Sequence, residues 1–439
     1  MKQSIYNTIM CSGDKVDIYN TLSNGLINVS LKEYDAIFKN ILINPNNGFK
    51  IYPTLCKSMK DLGFIVNQDF DELEYVLKKN KEALEDESLY HVTINPTLMC
   101  NFKCWYCSVS TYVKDDDLLS GKMEEKTLLS IVEHFDHVLD NNAIKEIKID
   151  WFGGEPLMYF DEIVKNICYQ VKLKAEIKGV KFSSFVTTNA YYINKSMISD
   201  FISLNINNFQ ITLDGNENRH NKIRNEKGRN SYGRIVNNVK SLIKYHTEST
   251  VILRINYDKK TIYGLKDILS NFDFVDKNRI IFDFQKVWQV DLSDTDKELL
   301  ANGIDLFVKQ GFNILTPEYR PNKWTSCYAN RNNYKVFNYN GEIFKCTARD
   351  YSNDIKIGHV LDNVGSKSNT IYETYKLLNL SDFKECLACN ILPICNGPCI
   401  QKMFEFKASE DIKFIDICLL SRYKSKDDYL KKHIKLLKK

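Results

Sequence analysis

From Tyr90 onward, short runs of apolar residues alternate with longer stretches in which apolar positions recur at helical spacing. The runs predict strands at His91–Asn95, Ile144–Phe152, Phe182–Thr188, Phe209–Asp214, Val251–Asn256 and Ile280–Phe284. Between the first two, Leu128, Ile131, Val132, Phe135, Val138 and Leu139 line one helix face. Strands alternating with amphipathic helices imply parallel pairing through crossovers, so the fold class is α/β. Six strand–helix units predict a partial (β/α)6 barrel over residues 89–310.

Residues 1–70 carry a different pattern and read as a small α+β unit. Asp17–Leu22 and Leu26–Val29 flank Asn24-Gly25, a two-residue hairpin signal. Helical periodicity follows at Leu31–Ile43 and Pro53–Leu62, then a short strand at Phe64–Val66. Asp71–Glu85 predicts a charged connecting helix, placing the first domain at residues 1–88. The last domain, residues 311–439, is short-patterned and loop-rich, with a hairpin predicted around Asn340-Gly341. Leu430, Ile434 and Leu437 at helical spacing predict a solvated terminal helix.

The composition changes this picture at one point only. With 44% hydrophobic and 26% charged residues, the 439-residue chain has ample material for packed cores and is not disordered. No run of 18 apolar residues exists, which excludes a membrane-spanning helix. The net charge is +4 and residues 1–70 show no basic stripe, so nucleic acid is not an expected partner. The start, Met1-Lys2-Gln3-Ser4-Ile5-Tyr6, lacks an export signal, and a cytoplasmic location is expected. In that setting the 13 cysteines should stay reduced, and their spacing reads as metal or redox chemistry.

Cys100-x3-Cys104-x2-Cys107 falls just after the first predicted barrel strand. Three thiolates there can hold three irons of a [4Fe–4S] cluster and leave one open. A structural zinc site would want four ligands. Cys327, Cys346, Cys386, Cys389, Cys395, Cys399 and Cys418 form a second group; Cys11, Cys56 and Cys168 are left over. Cys168 shares a helical face with Phe160, Ile163, Val164, Ile167 and Val171 and is expected in the core.

The segment Cys100-x3-Cys104-x-Tyr106-Cys107 resembles the signature of the radical S-adenosylmethionine (SAM) enzymes. Three further matches follow in the order of that family. Trp151-Phe152-Gly153-Gly154-Glu155-Pro156 is similar to its GGEP segment, and Thr187-Thr188-Asn189-Ala190 to its TNG, with alanine for glycine. Thr212-Leu213-Asp214-Gly215 with His220 and Arg224 is similar to its [S/T]LDG element, although Asn221 replaces an aspartate. The resemblance implies that Tyr106 contacts the adenine and that Gly153, Gly154 and Glu155 receive the SAM amino group. It also implies that Thr212 bonds the ribose and Arg224 the carboxylate, with Asn189 at the site. Arg254 and Asn256 point to one face of the fifth predicted strand and are expected to line the site as well.

The second group resembles the seven-cysteine SPASM extension, which holds two auxiliary [4Fe–4S] clusters and brings the implied total to three. By that likeness Cys327, Cys346 and Cys399 serve one cluster, and Cys386, Cys389, Cys395 and Cys418 the other. Two fully thiolate-bound clusters need eight cysteines and seven are present. The missing ligand is an upstream residue, a water, a non-cysteine side chain or a substrate group. A zinc ribbon is the structural alternative.

The N-terminal unit resembles the winged-helix-like peptide-recognition domain of ribosomal-peptide maturases, whose strand edge takes up a leader peptide. The whole chain is thus similar to radical SAM/SPASM peptide maturases, among them streptide-type lysine–tryptophan cyclases and thioether-forming enzymes. The likeness implies an external one-electron reductant, reductive SAM cleavage to a 5′-deoxyadenosyl radical, and an intramolecular crosslink in a leader-bearing peptide. Asp350 and Glu318 are candidate general bases. A sulfatase-maturing enzyme acting on a protein Cys or Ser is the alternative, and a non-catalytic zinc or iron–sulfur protein a remote one.

Overall fold

The computed structural model describes residues 1–113, 116–224, 230–272, 276–315, 324–362 and 370–437. The chain divides into two compact units. One comprises Met1–Asp86, Pro317–Asn332 and Thr374–Lys439, the other Glu87–Thr316 and Asn333–Glu373.

In the first unit, β1 (Lys2–Gln3) pairs antiparallel with β5 (Ile65–Val66). A three-stranded antiparallel sheet runs β2 (Asn7–Ser12), β3 (Lys15–Asn20), β4 (Leu26–Ser30). The strands flanking Asn24-Gly25 pair as expected, but a five-residue loop replaces the tight turn. The cause is the Asn20 side chain, whose Oδ1 accepts the backbone N–H groups of Leu22 and Ser23 at 3.0 and 2.9 Å. The β3–β4 pair folds over a core of Val16, Ile18, Ile41, Cys56, Met59 and Phe64. The helical pattern over 31–43 forms, and Pro45–Ile51 adds a helix that the sequence reading passed over.

The terminal helix, Lys426–Leu437, is not the solvated element expected. Tyr429, Leu430 and Ile434 are buried against Met10, Tyr19, Ile391, Ile394 and Cys395 in the same unit. Two of those partners, Met10 and Tyr19, lie about 400 residues upstream in the chain, a contact that local periodicity does not report.

The second unit is built on one ten-stranded sheet. Its strands are β6 (Leu89–Ile94), β7 (Glu146–Trp151), β8 (Lys181–Thr188), β9 (Ile206–Leu213), β10 (Thr250–Tyr257), β11 (Ile280–Lys286), β12 (Asn313–Leu315), β13 (Tyr334–Phe337), β14 (Glu342–Phe344) and β15 (Gly358–His359). The order is β12-β11-β10-β9-β8-β7-β6-β13-β14-β15, parallel from β12 to β13. The six expected strands are present and adjacent. The hairpin around Asn340-Gly341 forms as β13–β14, and β13 also extends the sheet by pairing parallel with β6. Helices cover the sheet through faces such as Leu128, Ile131, Val132 and Phe135, all buried. Cys168 is fully buried, as its helical face required. Among the described residues no helix is long and apolar enough to cross a membrane.

Replacing Leu430 with Ala should lower unfolding free energy by about 2–5 kcal/mol, because the cavity opens inside a closed core. Lys431→Ala on the exposed face of the same helix should leave it unchanged. Urea titration of the two variants checks this; equal midpoints would show that the helix is only loosely attached.

Candidate active site

Parallel strands place all their C-terminal ends along one edge, and loops leaving that edge build the site. In the second unit these are the Cys100–Cys107 loop after β6, Gly153–Glu155 after β7, Asn189 after β8, Asp214 after β9 and Asn256 on β10.

The first two loops are zipped together through their backbones. Gly154 N–H donates to Thr97 C=O at 3.0 Å and Glu155 N–H to Met99 C=O at 2.8 Å. A Cβ on Gly154 would stand 1.9 Å from Met99 O, and one on Gly153 2.3 Å from Thr97 O. Gly153 also holds φ +108°, a conformation side chains resist. The glycines are therefore explained by the approach of the cysteine loop itself.

Along that loop burial alternates. Phe102, Cys104 and Tyr106 are buried, whereas Lys103 and Trp105 are exposed. Solvent reaches the Cys100 side chain, yet surrounding protein pushes its thiol up to about 12, with Glu155 adding to the rise. Burial raises Cys104 to about 11, an effect that the Arg224 cation opposes. Cys104 and Cys107 both act on Cys100, so the three thiols share one electrostatic neighbourhood. That donor set fits a cluster with an open iron: three sulfurs, low dielectric, and a cation nearby to offset thiolate charge. Among the described residues, no three His, Cys, Asp or Glu side chains are arranged to hold a single metal ion.

A buried polar network adjoins the cysteines. Tyr106 hydroxyl donates to Asp214, Arg224 donates to Tyr106 Oη at 2.9 Å, and Asn256 Nδ2 donates to it at 3.0 Å. Arg224 Nε also donates to Asp214 Oδ2 at 2.5 Å. Burial raises the Tyr106 phenol, so it stays protonated. Asp214 N–H donates to His220 Nδ1 at 3.3 Å, and burial, with Arg224 beside it, keeps that imidazole neutral. Asp214 and His220 carried no role in the sequence reading, although both fall in the segment from Thr212 to Arg224 that resembles the [S/T]LDG element. Asn221 accepts N–H groups from Ser231 and Tyr232 at 3.1 and 3.0 Å and so holds the start of the following helix.

Glu155 is almost fully buried and accepts hydrogen bonds from Thr188 Oγ1, Asn189 N and Leu157 N at 2.7, 2.7 and 3.0 Å. Burial raises it to about 7 despite these donors. Asn189 Nδ2 reaches Asn101 Oδ1 at 2.7 Å, tying the β8 loop to the cysteine loop. Ala190, where the related motif has glycine, holds φ 60°. Thr212 is buried on β9, and Arg254 pairs with the buried Asp283 at 2.9 Å.

In the first unit, Cys386, Cys389, Cys395 and Cys418 come together. Burial and the neighbouring Cys395, Cys418 and Cys389 push the Cys386 thiol up to about 12. Cys327 and Cys399 lie in loops joined by Ser326 Oγ donating to Pro398 C=O (2.8 Å) and Ile400 N–H donating to Asn330 Oδ1 (3.2 Å). Cys346 belongs to the second unit, two residues after β14. Asp350 is exposed and accepts from Ser352 N–H at 3.3 Å. Glu318 lies outside the described residues.

Residues 94–263 match the sequence model of the radical SAM superfamily, and the chain carries a radical SAM domain over that stretch. The chain is 24% identical over 329 residues to a cysteine-type anaerobic sulfatase-maturating enzyme of Clostridium novyi, covering 68% of this chain and 84% of the relative. It is 20% identical over 434 residues to the radical SAM cyclopropyl synthase TigE of Paramaledivibacter caminithermalis, covering 90% and 88%. Among solved structures it resembles native anSMEcpe with bound AdoMet (TM-score 0.56, 18% identity, 79% of this chain and 95% of that one). It also resembles Streptococcus suis SuiB bound to precursor peptide SuiA (TM-score 0.52, 15% identity, 93% and 97%).

The Glu155 shift has a sign that can be measured. Its folded value, about 7, lies above the ordinary 4.5, so the folded chain binds this proton more tightly than the unfolded chain does. Its contribution is present below about 4.5 and is lost as pH rises to about 7. Relative to Glu155→Gln, the metal-free wild type should lose of order 2–3 kcal/mol of stability between pH 5 and 8. Urea unfolding at the two pH values checks this; parallel behaviour of the two proteins would contradict it.

Proposed function

We propose that the chain is a radical SAM peptide maturase that installs an intramolecular crosslink, carbon–carbon such as Lys–Trp or thioether, in a leader-bearing ribosomal peptide. The observation that carries the reading is the three-thiol loop zipped to Gly153–Glu155 within a radical SAM domain. Bound at Cys100, Cys104 and Cys107, a [4Fe–4S] cluster with SAM would supply the 5′-deoxyadenosyl radical that removes hydrogen from the peptide.

The chain's own residues prepare that site. Arg224, Asp214 and Asn256 fix the Tyr106 ring, which offers a flat face to an adenine. Arg224 keeps its charge while paired, so a carboxylate arriving beside it meets a fixed cation. Glu155, balanced near neutral pH, ionises when an ammonium approaches. Burial of Cys104 and Tyr106 keeps water from that side of the site. Cys386, Cys389, Cys395 and Cys418 fit one auxiliary cluster, and Cys327, Cys346 and Cys399 are proposed for another. Asp350 and Glu318 remain the proposed bases, and an external reductant the proposed electron source.

Two observations support a leader peptide as the partner. The likeness to SuiB, whose structure holds a precursor peptide, extends over 93% of this chain. The β2–β3–β4 sheet also has an edge suited to strand addition. Asn20 N–H donates to Gly25 C=O at 2.9 Å, and with Asp17 opposite Asn28 the alternating ladder turns the N–H and C=O of Leu26 and Asn28 away from β3. The sulfatase-maturating relative keeps the second reading open, in which the substrate is a protein Cys or Ser. The cyclopropyl-synthase relative favours bond formation.

Anaerobic reconstitution should give an iron-loaded brown protein that forms 5′-deoxyadenosine from SAM under reduction, with the activity lost in Cys104→Ala. Zinc without iron would overturn the enzyme reading. Asn28→Pro removes an outward N–H and the side-chain bond to Asp17 (2.6 Å) but no backbone bond to β3, and should weaken leader binding about tenfold. Asn28→Ala, which loses only the side-chain bond, should not, and peptide-independent SAM cleavage should persist in both. Unchanged leader affinity in Asn28→Pro would move recognition elsewhere. Deleting residues 1–70 would be a poorer test, since it strips Met10 and Tyr19 from the core of the first unit.

A further inference from the structure

Within the second unit one buried side chain lies where the β7 loop, the β13–β14 hairpin and the loop after Cys346 meet. Asn95 follows β6 and is fully buried. Its N–H donates to Phe337 C=O at 2.8 Å, and its Cβ is 3.2 Å from the position a side chain would take on Gly153. The Cys100 loop begins a few residues on. Its amide Nδ2 donates to Tyr351 Oη at 3.0 Å and to Asn338 Oδ1 at 3.3 Å. Tyr351 hydroxyl in turn donates to Thr347 C=O at 3.3 Å, in the residue after Cys346.

Tyr351 is held for this contact at some cost. It is a non-glycine residue at φ 58°, almost wholly buried, with its ring edge-on to Phe344 at 5.1 Å between centroids. A bulky side chain in the left-handed region persists only where its surroundings over-determine it. Asn95 Oδ1 and Asn338 Nδ2 are buried without a partner among the described residues, so the Asn95–Asn338 contact is under-satisfied. The tyrosine hydroxyl is the better-formed tie.

The geometry points to Tyr351 and Asn95 as positioning residues: the phenol hydroxyl clamps the 346–351 loop to the end of β6 and fixes where Cys346 presents its sulfur. Neither residue was singled out by any motif. The inference rests on the proposed ligand role of Cys346 for its consequence, but not for the clamp itself.

Tyr351→Phe deletes the hydroxyl and keeps the ring against Phe344. In the metal-free chain, iodoacetamide labelling of Cys346, read by peptide mass spectrometry, should accelerate about fivefold, the effect of losing one buried hydrogen bond. Cys168, fully buried, reports that the fold is intact and should stay unlabelled. Should Tyr351→Phe also expose Cys168, Asn95→Ser takes its place with the same expectation. An unchanged Cys346 rate with Cys168 protected overturns the clamp. In the reconstituted protein, Tyr351→Phe should keep its iron content and alter the electron paramagnetic resonance signal that Cys346→Ala removes; an identical signal overturns the positioning role. If Cys346→Ala retains all its iron, the ligand reading fails independently of the labelling result.

Discussion

Everything in the candidate site depends on two backbone loops lying closer together than side chains allow. The edge of Gly153–Glu155 donates to Thr97 and Met99 carbonyls, and a single Cβ at Gly154 would overlap Met99 O. This contact presents the cysteine loop in one conformation and brings Glu155 next to Cys100. It also lets Asn189 reach Asn101 from the third strand of the series. A hydrogen-bonded ladder of this kind is rigid and costs the loops little, because each donor would otherwise need water in a buried place. The protein thereby prepares a thiol trio in which Cys100 and Cys104 hold their protons tightly and give way only to a strongly bound metal.

Around that frame the charges are balanced locally. Arg224 faces Asp214, Tyr106 and Cys104, while His220 is kept neutral beneath them. A positive charge buried next to thiols is favourable only when carboxylate and thiolate share it. The arrangement therefore favours the metal-loaded state over the bare one. The first unit repeats the theme in another form, where burial and the neighbouring Cys395, Cys418 and Cys389 raise the proton affinity of Cys386.

Much of this could be read from the sequence, for identifiable reasons. Several of the six central strands of the second unit, β7, β8 and β10 among them, alternate buried, mostly apolar residues with less buried, mostly polar ones, and that period of two stands out without context. The cysteine and glycine motifs were legible because their chemistry restricts residue type. Other features depend on distant partners. β13 reads as half of a hairpin, and its parallel pairing with β6 joins segments about 240 residues apart. β2 is short and half exposed, and Pro45–Ile51 carries a mid-helix glycine, so neither has a strong period. The stripe of Leu430, Ile434 and Leu437 was visible, but the partners Met10 and Tyr19 that Leu430 and Ile434 pack with were not. Asp214, His220, Asn95 and Tyr351 act through hydrogen bonds formed only after the strands align.

The central claim is that this chain directs a SAM-derived radical at a peptide. It is tested most directly by supplying a candidate precursor peptide with deuterium at the residues to be joined and analysing the 5′-deoxyadenosine by mass spectrometry. Transfer of deuterium into 5′-deoxyadenosine, with a peptide product lighter by the hydrogens lost on crosslinking, is the predicted result. 5′-Deoxyadenosine that forms at the same rate without peptide and never carries deuterium would contradict it.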